Sequence, residues 1–180
     1  GYDLYCKMLN EAVRFLKGET QEEDYATTID LNVDAYIPDS YIPNEYQKLD
    51  IYKRIAAIES GEEMEDMTEE LIDRFGDIPK KVEKLLLVAE LKARAHSAYV
   101  TAVEQKGETY TFTMFEKAKV CPERIPELIN RHKGELVLKT DTQSPCFVYR
   151  KLNKNKKEAQ QSSIDVVKNM LNEIKGLIEC

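Results

Sequence analysis

Apolar and polar residues follow two different periods along the chain, and the changes of period predict its layout. The segment TIDLNVDAYI alternates strictly between the two classes, which predicts a half-buried strand. The apolar positions of this predicted strand are Ile29, Leu31, Val33, Ala35 and Ile37. Pro38 should end the strand or confine it to a sheet edge, because proline cannot donate a hydrogen bond to a sheet ladder. Around this segment the apolar residues repeat every three or four positions, which is typical of amphipathic helices.

Two helix starts are predicted after the strand. Asn44 followed by Gln47, and Ser60 followed by Glu63, have the spacing of a capping box. The first helix is expected to turn four residues inward: Leu49, Tyr52, Ile55 and Ala56. Before the strand, residues 2–17 carry a further apolar stripe and predict an N-terminal helix.

The second capped helix separates apolar from acidic residues. At 100° per residue one side carries Met64, Met67, Leu71 and Phe75. The broadly opposite side carries Glu62, Asp66, Glu69, Glu70 and Asp73. Gly76 suits the end of this helix. Asp77 is expected to cap a third helix, with Pro79 in its first turn, that runs to about His96.

From Tyr99 onward the period becomes two, which predicts a small β region. YVTAVEQKGETYTFTMF indicates a hairpin around Lys106–Gly107, and GELVLKT and CFVYRK indicate further strands. A short helix in PERIPELINRH and a closing helix over 157–178 complete the pattern. Helices followed by strands favour an α+β fold, a layer of about five to six helices packed with a small, mostly antiparallel sheet. We expect a helix over 1–17 and one compact domain over 18–180, helical to about 97 and β-rich over 98–150.

Composition and charge restrict the possible functions. The chain is 42% hydrophobic and 33% charged with a net charge of −7, which is typical of a globular domain and argues against nucleic-acid binding. A basic run, Arg150 to Lys157, is the exception, and we interpret it as a solvated linker. Four widely separated cysteines and two histidines do not predict a zinc site. Reduced thiols and a cytoplasmic location are expected.

The acidic helix is the strongest candidate site. Phosphate-binding loops and hydrolase motifs do not occur in the sequence, so we expect no catalytic residues and no cofactor or metal in this chain. The acidic side is interpreted as a solvated face or as a docking surface for arginines, which carboxylates bind with directional hydrogen bonds. The candidate docking residues are Glu70, Asp73, Arg74, Glu69 and Asp66. Arg74 can pair within the domain or join the interface. Two alternatives stay open, a carboxylate-based enzyme and a nucleic-acid module that uses residues 150–157.

Four collinear motifs carry a family resemblance. GYDLYCKMLNEAV, DAYIPDSYI, KLDIYKRIA and ELIDRFGDIP resemble the C-terminal domain of bacterial transcription-repair coupling factor (Mfd), strongly over residues 1 to about 100 and loosely beyond. The resemblance implies a large parent protein, an ATP-dependent DNA translocase that displaces stalled RNA polymerase and recruits UvrA for nucleotide excision repair. ATP and Mg²⁺ would bind the motor domains of that parent, which also make most contacts to DNA and polymerase.

The resemblance also implies a role for this domain. In the family the domain folds back on an N-terminal module resembling UvrB, masks the UvrA-binding surface and holds the translocase in check. Acidic residues of the ELIDRFG helix meet basic residues of that module. Carried over residue by residue, Glu70 and Asp73 are the matching positions. The expected partner is therefore intramolecular, in competition with UvrA.

Overall fold

The computed structural model describes residues 25–152 and 162–178. The helix predicted over residues 2–17 and the beginning of the closing helix lie outside these ranges. The described chain divides into two compact units. Residues 33–93 belong to a helical unit, and residues 27–32 together with those from 94 onward belong to a sheet unit.

The helical unit contains three helices, of which the first two begin directly after the predicted cap residues and the third begins at Lys80, three residues after the predicted cap Asp77. They are α1 (Glu45–Ala56), α2 (Gly61–Phe75) and α3 (Lys80–Ser97), the last of which continues into the sheet unit. The Asn44 side chain accepts a hydrogen bond from the Gln47 amide at 3.0 Å, and Ser60 accepts one from the Glu63 amide at 3.1 Å. Both predicted caps are therefore confirmed, and each satisfies one of the amides that a helix start leaves without an intrahelical partner.

One side of each helix fills the core of the helical unit. Leu71 of α2 and Ile51 of α1 are fully buried there, and Met67 and Ile55 are nearly so. The predicted inward position of Leu49 is wrong, since that side chain is 36% exposed and Ile51 takes its place. Spacings of three and four residues are compatible with a buried stripe through Leu49 and with one through Ile51. Packing against the neighbouring helices determines which of the two is buried.

The alternating segment forms a shorter strand than its sequence predicts. Strand β1 covers only Thr28–Asp30, and residues 31–37 of the alternating segment carry no sheet pairing. The burial still alternates, because Ala35 and Ile37 pack in the core of the helical unit while Asp34 and Tyr36 are exposed. The Ile37 amide donates a hydrogen bond to the Tyr52 hydroxyl at 2.8 Å. A side chain therefore accepts the hydrogen bond that the predicted strand would have given to a neighbouring strand.

Proline residues lie in two of the connecting segments of the helical unit, the one before α1 and the one between α2 and α3. The Pro38 carbonyl accepts hydrogen bonds from the amides of Tyr41 at 3.0 Å and Ile42 at 3.2 Å, so Pro38 opens a turn rather than ending a strand. Helix α3 begins at Lys80, and the Pro79 carbonyl accepts hydrogen bonds from the amides of Val82 and Glu83, both at 3.0 Å, so Pro79 lies at the start of the first turn. Between α2 and α3, Gly76 has φ of 87° and ψ of −164°, a positive-φ conformation that glycine adopts without strain.

The sheet unit has five strands in the order β1-β2-β3-β5-β4. The other four strands are β2 (Val100–Lys106), β3 (Thr109–Met114), β4 (Leu136–Lys139) and β5 (Cys146–Arg150). The hairpin around Lys106–Gly107 is confirmed, with Lys106 opposite Thr109. Strand β1 runs parallel to β2, and the remaining pairs are antiparallel. The described chain is therefore α+β with a small mixed sheet, as predicted.

Two helices complete the sheet unit. They are α4 (Ile125–Arg131), preceded by a 3₁₀ turn at Pro122–Arg124, and α5 (Ser163–Ile178). The Lys175 ammonium donates to the Ser97 carbonyl at 2.8 Å, and the Arg124 guanidinium donates to the Gly176 carbonyl at 2.7 Å. Basic groups at the last turn of α5 thus bind the carbonyl at the end of α3 and one of the carbonyls of α5 itself.

The cysteines depart in part from the prediction of reduced thiols. Cys146 is free, whereas Cys121 is disulfide-bonded, so the prediction is wrong at Cys121. Cys6 and Cys180 lie outside the described residues. Among the helices of the described residues, none is long and apolar enough to cross a lipid bilayer.

Candidate acidic docking surface

The C-terminal half of α2 is held in place by the turn that precedes α1. The Tyr41 hydroxyl shares its single hydrogen between two carbonyl oxygens, that of Gly76 at 2.9 Å and that of Leu71 at 3.2 Å. The Tyr41 ring also packs on Phe75, with ring centroids 5.9 Å apart. Burial raises the pKa of the Tyr41 hydroxyl, and Asp77 adds to the effect. Because these bonds satisfy carbonyls at the helix end, the charged residues of α2 project from a fixed backbone.

Glu70 is the centre of an ion-pair cluster inside the helical unit. Arg54 of α1 binds both carboxylate oxygens, one of them through Nη2 at 2.7 Å, and Arg74 donates to Oε2 at 3.1 Å. These two arginines and Glu70 form what we call the Glu70 cluster. Hydrogen bonds from Arg54 first, and then from Arg74, lower the pKa of Glu70 to about 2. The Glu70 carboxylate is therefore ionised and already satisfied by two guanidinium groups.

Arg74 belongs to the domain's own packing. Besides its bond to Glu70, its guanidinium carbon lies 4.9 Å from the centroid of the Phe75 ring. This geometry is a cation–π contact, for which arginine is the commonest donor. Of the two roles the sequence left open for Arg74, the structure shows the pairing within the domain.

The remaining three candidates form an exposed line, which we call the acidic stripe. Asp66, Glu69 and Asp73 are exposed residues of α2, at positions i, i+3 and i+7. This spacing places them within about 60° of one another around the helix and spreads them over about 10 Å of its length. Among the described residues, none forms an ion pair with any of the three. The structure thus separates a satisfied carboxylate, Glu70, from three that face solvent.

Both histidines of the chain have structural contacts. His96 Nδ1 lies 3.1 Å from the hydroxyl of Thr27, which is itself buried and donates to the Val100 carbonyl. His132 Nε2 lies 2.5 Å from a Glu173 carboxylate oxygen of α5, and its ring meets the edge of Tyr149. Within residues 25–152 and 162–178, groups of His, Cys, Asp or Glu with the geometry for a metal ion are absent.

The basic run falls largely outside the described structure. Only Arg150, Lys151 and Leu152 of this segment are described, and Arg150 ends strand β5. The predicted linker at residues 153–157 lies outside the described residues.

Sequence reasoning missed two features of α2. The pairing of Arg54 with Glu70 joins residues sixteen positions apart on different helices, so no spacing rule within one helix indicates it. Ile72 is 46% exposed and lies on neither the buried side nor the acidic stripe. The exposure of Ile72 could have been predicted, because a residue directly after the buried Leu71 points about 100° away from it around the helix.

Comparison with known proteins agrees with the fold and with the motifs. The model of the TRCF domain family matches residues 31–125. The transcription-repair-coupling factor of Bacillus subtilis (strain 168) is 39% identical over 141 residues, which are 77% of this chain and 12% of the relative. That of Staphylococcus haemolyticus (strain JCSC1435) is 43% identical over 120 residues, 66% of this chain and 10% of the relative.

A solved structure gives the same result. The crystal structure of a C-terminal domain of transcription-repair coupling factor matches with a TM-score of 0.63 and 28% identity, and the match covers 84% of this chain and 95% of that one. The chain therefore spans a small part of the curated relatives and nearly the whole of the solved domain. Since the family model covers more than half of the chain, the chain belongs to the TRCF domain family, the family of the C-terminal domain of bacterial transcription-repair coupling factors.

Proposed function

We propose that this chain is a non-catalytic docking domain that restrains its parent, a transcription-repair coupling factor. It binds the N-terminal UvrB-like module of the same protein, covers the surface that UvrA uses, and so restrains an ATP-driven DNA translocase that acts on stalled RNA polymerase. The site of docking is the acidic helix α2. The proposal places this action in the cytoplasm, where bacterial transcription and repair take place.

The acidic stripe is the observation that carries the proposal. Asp66, Glu69 and Asp73 present three exposed carboxylates in line, without a partner among the described residues. A surface with two or three arginines at matching spacing can bind them with bidentate hydrogen bonds. The net charge of −7 adds long-range attraction toward a basic module.

Glu70 and Arg74 support the stripe in this proposal. The Glu70 cluster fixes α2 against α1, so the stripe is presented on a rigid helix. An arginine of the module can reach Glu70 only in competition with Arg54 and Arg74. The contribution of Glu70 to docking is therefore smaller than that of Asp73, although both match the family's acidic positions.

Weak contacts are sufficient for such a restraint. An exposed ion pair contributes about 0–1 kcal/mol, so three pairs hold the docked state only loosely. The covalent tether within the parent raises the effective concentration of the two surfaces, which makes weak docking effective. UvrA or polymerase then releases the domain by binding the open state better than the closed one.

Charge reversal in the full-length parent tests the proposal. The variant Asp66→Lys/Glu69→Lys/Asp73→Lys should bind UvrA more tightly and hydrolyse ATP faster without DNA than the unmodified protein. The matched control reverses three exposed carboxylates of the sheet unit, Glu116, Glu123 and Asp141, and so changes the net charge equally. Equal UvrA binding and equal ATPase activity in both variants would refute the docking role of the stripe.

Neither alternative function gains support from a specific observation. A carboxylate-based enzyme requires an acid whose pKa is raised toward neutrality, whereas the pKa of Glu70 is lowered to about 2. A nucleic-acid module requires a basic surface, and the chain is acidic overall.

A further inference from the structure

Helices α2 and α3 enclose an apolar groove next to the acidic stripe. The groove has a volume of 470 Å³, and apolar side chains of both helices line it, among them Met64, Ile72 and Leu87. Ile72 is 46% exposed although it is a large aliphatic residue in an otherwise regular amphipathic helix. Exposed apolar surface that is contiguous and concave marks an interaction site more often than scattered apolar residues do.

The border of this groove is acidic. Glu65 and Glu69 of α2 and Glu83 of α3 are exposed and line its edges, and the charged residues among its described lining are all glutamates. An apolar floor with exposed carboxylates on both helices, two on α2 and one on α3, is complementary to a ligand with an apolar stripe flanked by cations. Lysines or arginines on such a ligand can reach the glutamates while its aliphatic side chains enter the groove.

The shape of the groove favours a helix over a small molecule. Its lining runs from Met64 to Ile72 along α2, which corresponds to about 12 Å or two helical turns. Three of the four polar residues that line it are the exposed glutamates, and the fourth, Thr68, donates its hydroxyl hydrogen to the Met64 carbonyl of its own helix at 2.8 Å. Small-molecule pockets instead orient their ligands with polar groups set inside an enclosed site. An amphipathic helix placed in a groove between two helices contributes apolar residues at three- and four-residue spacing.

We propose that the α2–α3 groove binds a basic amphipathic helix of a partner protein. Two or three aliphatic side chains of that helix occupy the groove beside Ile72, and its Lys or Arg residues pair with Glu65, Glu69 and Glu83. The inference does not depend on the docking of the acidic stripe, because the groove lies on the side of α2 toward α3. Only Glu69 belongs to both surfaces.

A binding assay with the 180-residue chain and a synthetic peptide tests this. The probe is a fluorescein-labelled peptide of roughly four helical turns, made of leucine and lysine, with the leucines at three- and four-residue spacing. The reference peptide has the same composition with the two residues alternating, so that its leucines cannot share one helix face. Fluorescence anisotropy should give at least tenfold tighter binding for the amphipathic peptide.

Two matched variants assign the binding to the groove. Ile72→Lys should abolish the preference for the amphipathic peptide, because it places a cation on the apolar floor. Tyr46→Lys makes the same change of charge at a residue that is 87% exposed on α1 and should keep the preference. Circular dichroism checks that both are folded. The variant Glu65→Gln/Glu83→Gln, which removes no apolar contact, should weaken binding and reduce its dependence on salt.

Three results would overturn the inference. The first is equal affinity of the unmodified chain for the two peptides. The second is an equal preference of Ile72→Lys and Tyr46→Lys for the amphipathic peptide. The third is a dimer of the unmodified chain in sedimentation equilibrium that Ile72→Lys dissociates, since a second copy would then be the occupant. The UvrB-like module takes no part in this assay, so failure here leaves the docking proposal to its own test.

Discussion

The Glu70 cluster makes a quantitative prediction about stability. Glu70→Gln keeps the size of the side chain but removes the charge that Arg54 and Arg74 bind. The fall of the Glu70 pKa from 4.5 to about 2 corresponds to a ceiling of roughly 3.5 kcal/mol, at ~1.4 kcal/mol per pKa unit. The Glu70 side chain is 34% exposed, however, and both arginines are more exposed than that. Solvent screening reduces the expected contribution of the cluster to about 1–2 kcal/mol.

The pH dependence of this contribution has a definite sign. Because the pKa of Glu70 is lower in the folded state, its stabilisation is fully present above pH 4.5 and is lost as the pH falls toward about 2. Urea unfolding should therefore give a free energy of unfolding about 1–2 kcal/mol lower for Glu70→Gln than for the unmodified chain at pH 7. The gap should be clearly smaller at pH 3.5.

A neighbouring carboxylate provides the control. Asp73→Asn removes one charge from the same helix at an exposed position, and it should change the free energy of unfolding by less than about 0.5 kcal/mol. A double-mutant cycle of Glu70→Gln with Arg54→Gln should return most of the effect as coupling energy. If Glu70→Gln is no more destabilising than Asp73→Asn, or if the gap is the same at both pH values, the cluster does not stabilise the domain as argued.

Three further predictions concern the scaffold that presents α2, each measured by urea unfolding. Leu71→Ala should lower the free energy of unfolding by about 2–5 kcal/mol because Leu71 is fully buried, whereas Ile72→Ala should change it by about 0.5 kcal/mol or less; similar values for both would contradict the assigned core. Ser60→Ala should destabilise by about 1 kcal/mol and Ser60→Gly by only a few tenths, and equal effects would count against the cap. Tyr41→Phe should destabilise by about 1 kcal/mol through the lost hydroxyl contacts, and a neutral effect would show that water replaces them.

Local signals in the sequence predicted the elements that local chemistry determines. Asn44 and Ser60 begin helices because their side chains bond amides three residues on, an interaction confined to one turn. The hairpin at Gly107 follows equally from alternation and a glycine with φ of 61°. For these elements the residue types and their spacing cause the local structure directly, so the same pattern in the sequence predicts it.

Features that depend on distant residues were not predictable in the same way. The alternation through Ala35 and Ile37 correctly indicated which side chains are buried, but it could not indicate that Tyr52 rather than a neighbouring strand satisfies the Ile37 amide. The pairing of Glu70 with Arg74 follows helical spacing, whereas its pairing with Arg54 depends on how α1 and α2 pack. The acidic stripe could be predicted from the sequence, because the exposure of residues opposite a buried stripe depends on the periodicity of a single helix.

The most direct measurement is the binding of this chain to the separately produced N-terminal UvrB-like module of its parent. Isothermal titration calorimetry at low ionic strength should detect a complex that weakens as salt is added, because exposed ion pairs are screened. Asp66→Lys/Glu69→Lys/Asp73→Lys should weaken it by more than about tenfold, from roughly 1 kcal/mol per pair, while Glu116→Lys/Glu123→Lys/Asp141→Lys has a clearly smaller effect. Binding that is insensitive to salt and equally affected by both variants would contradict docking through the acidic stripe.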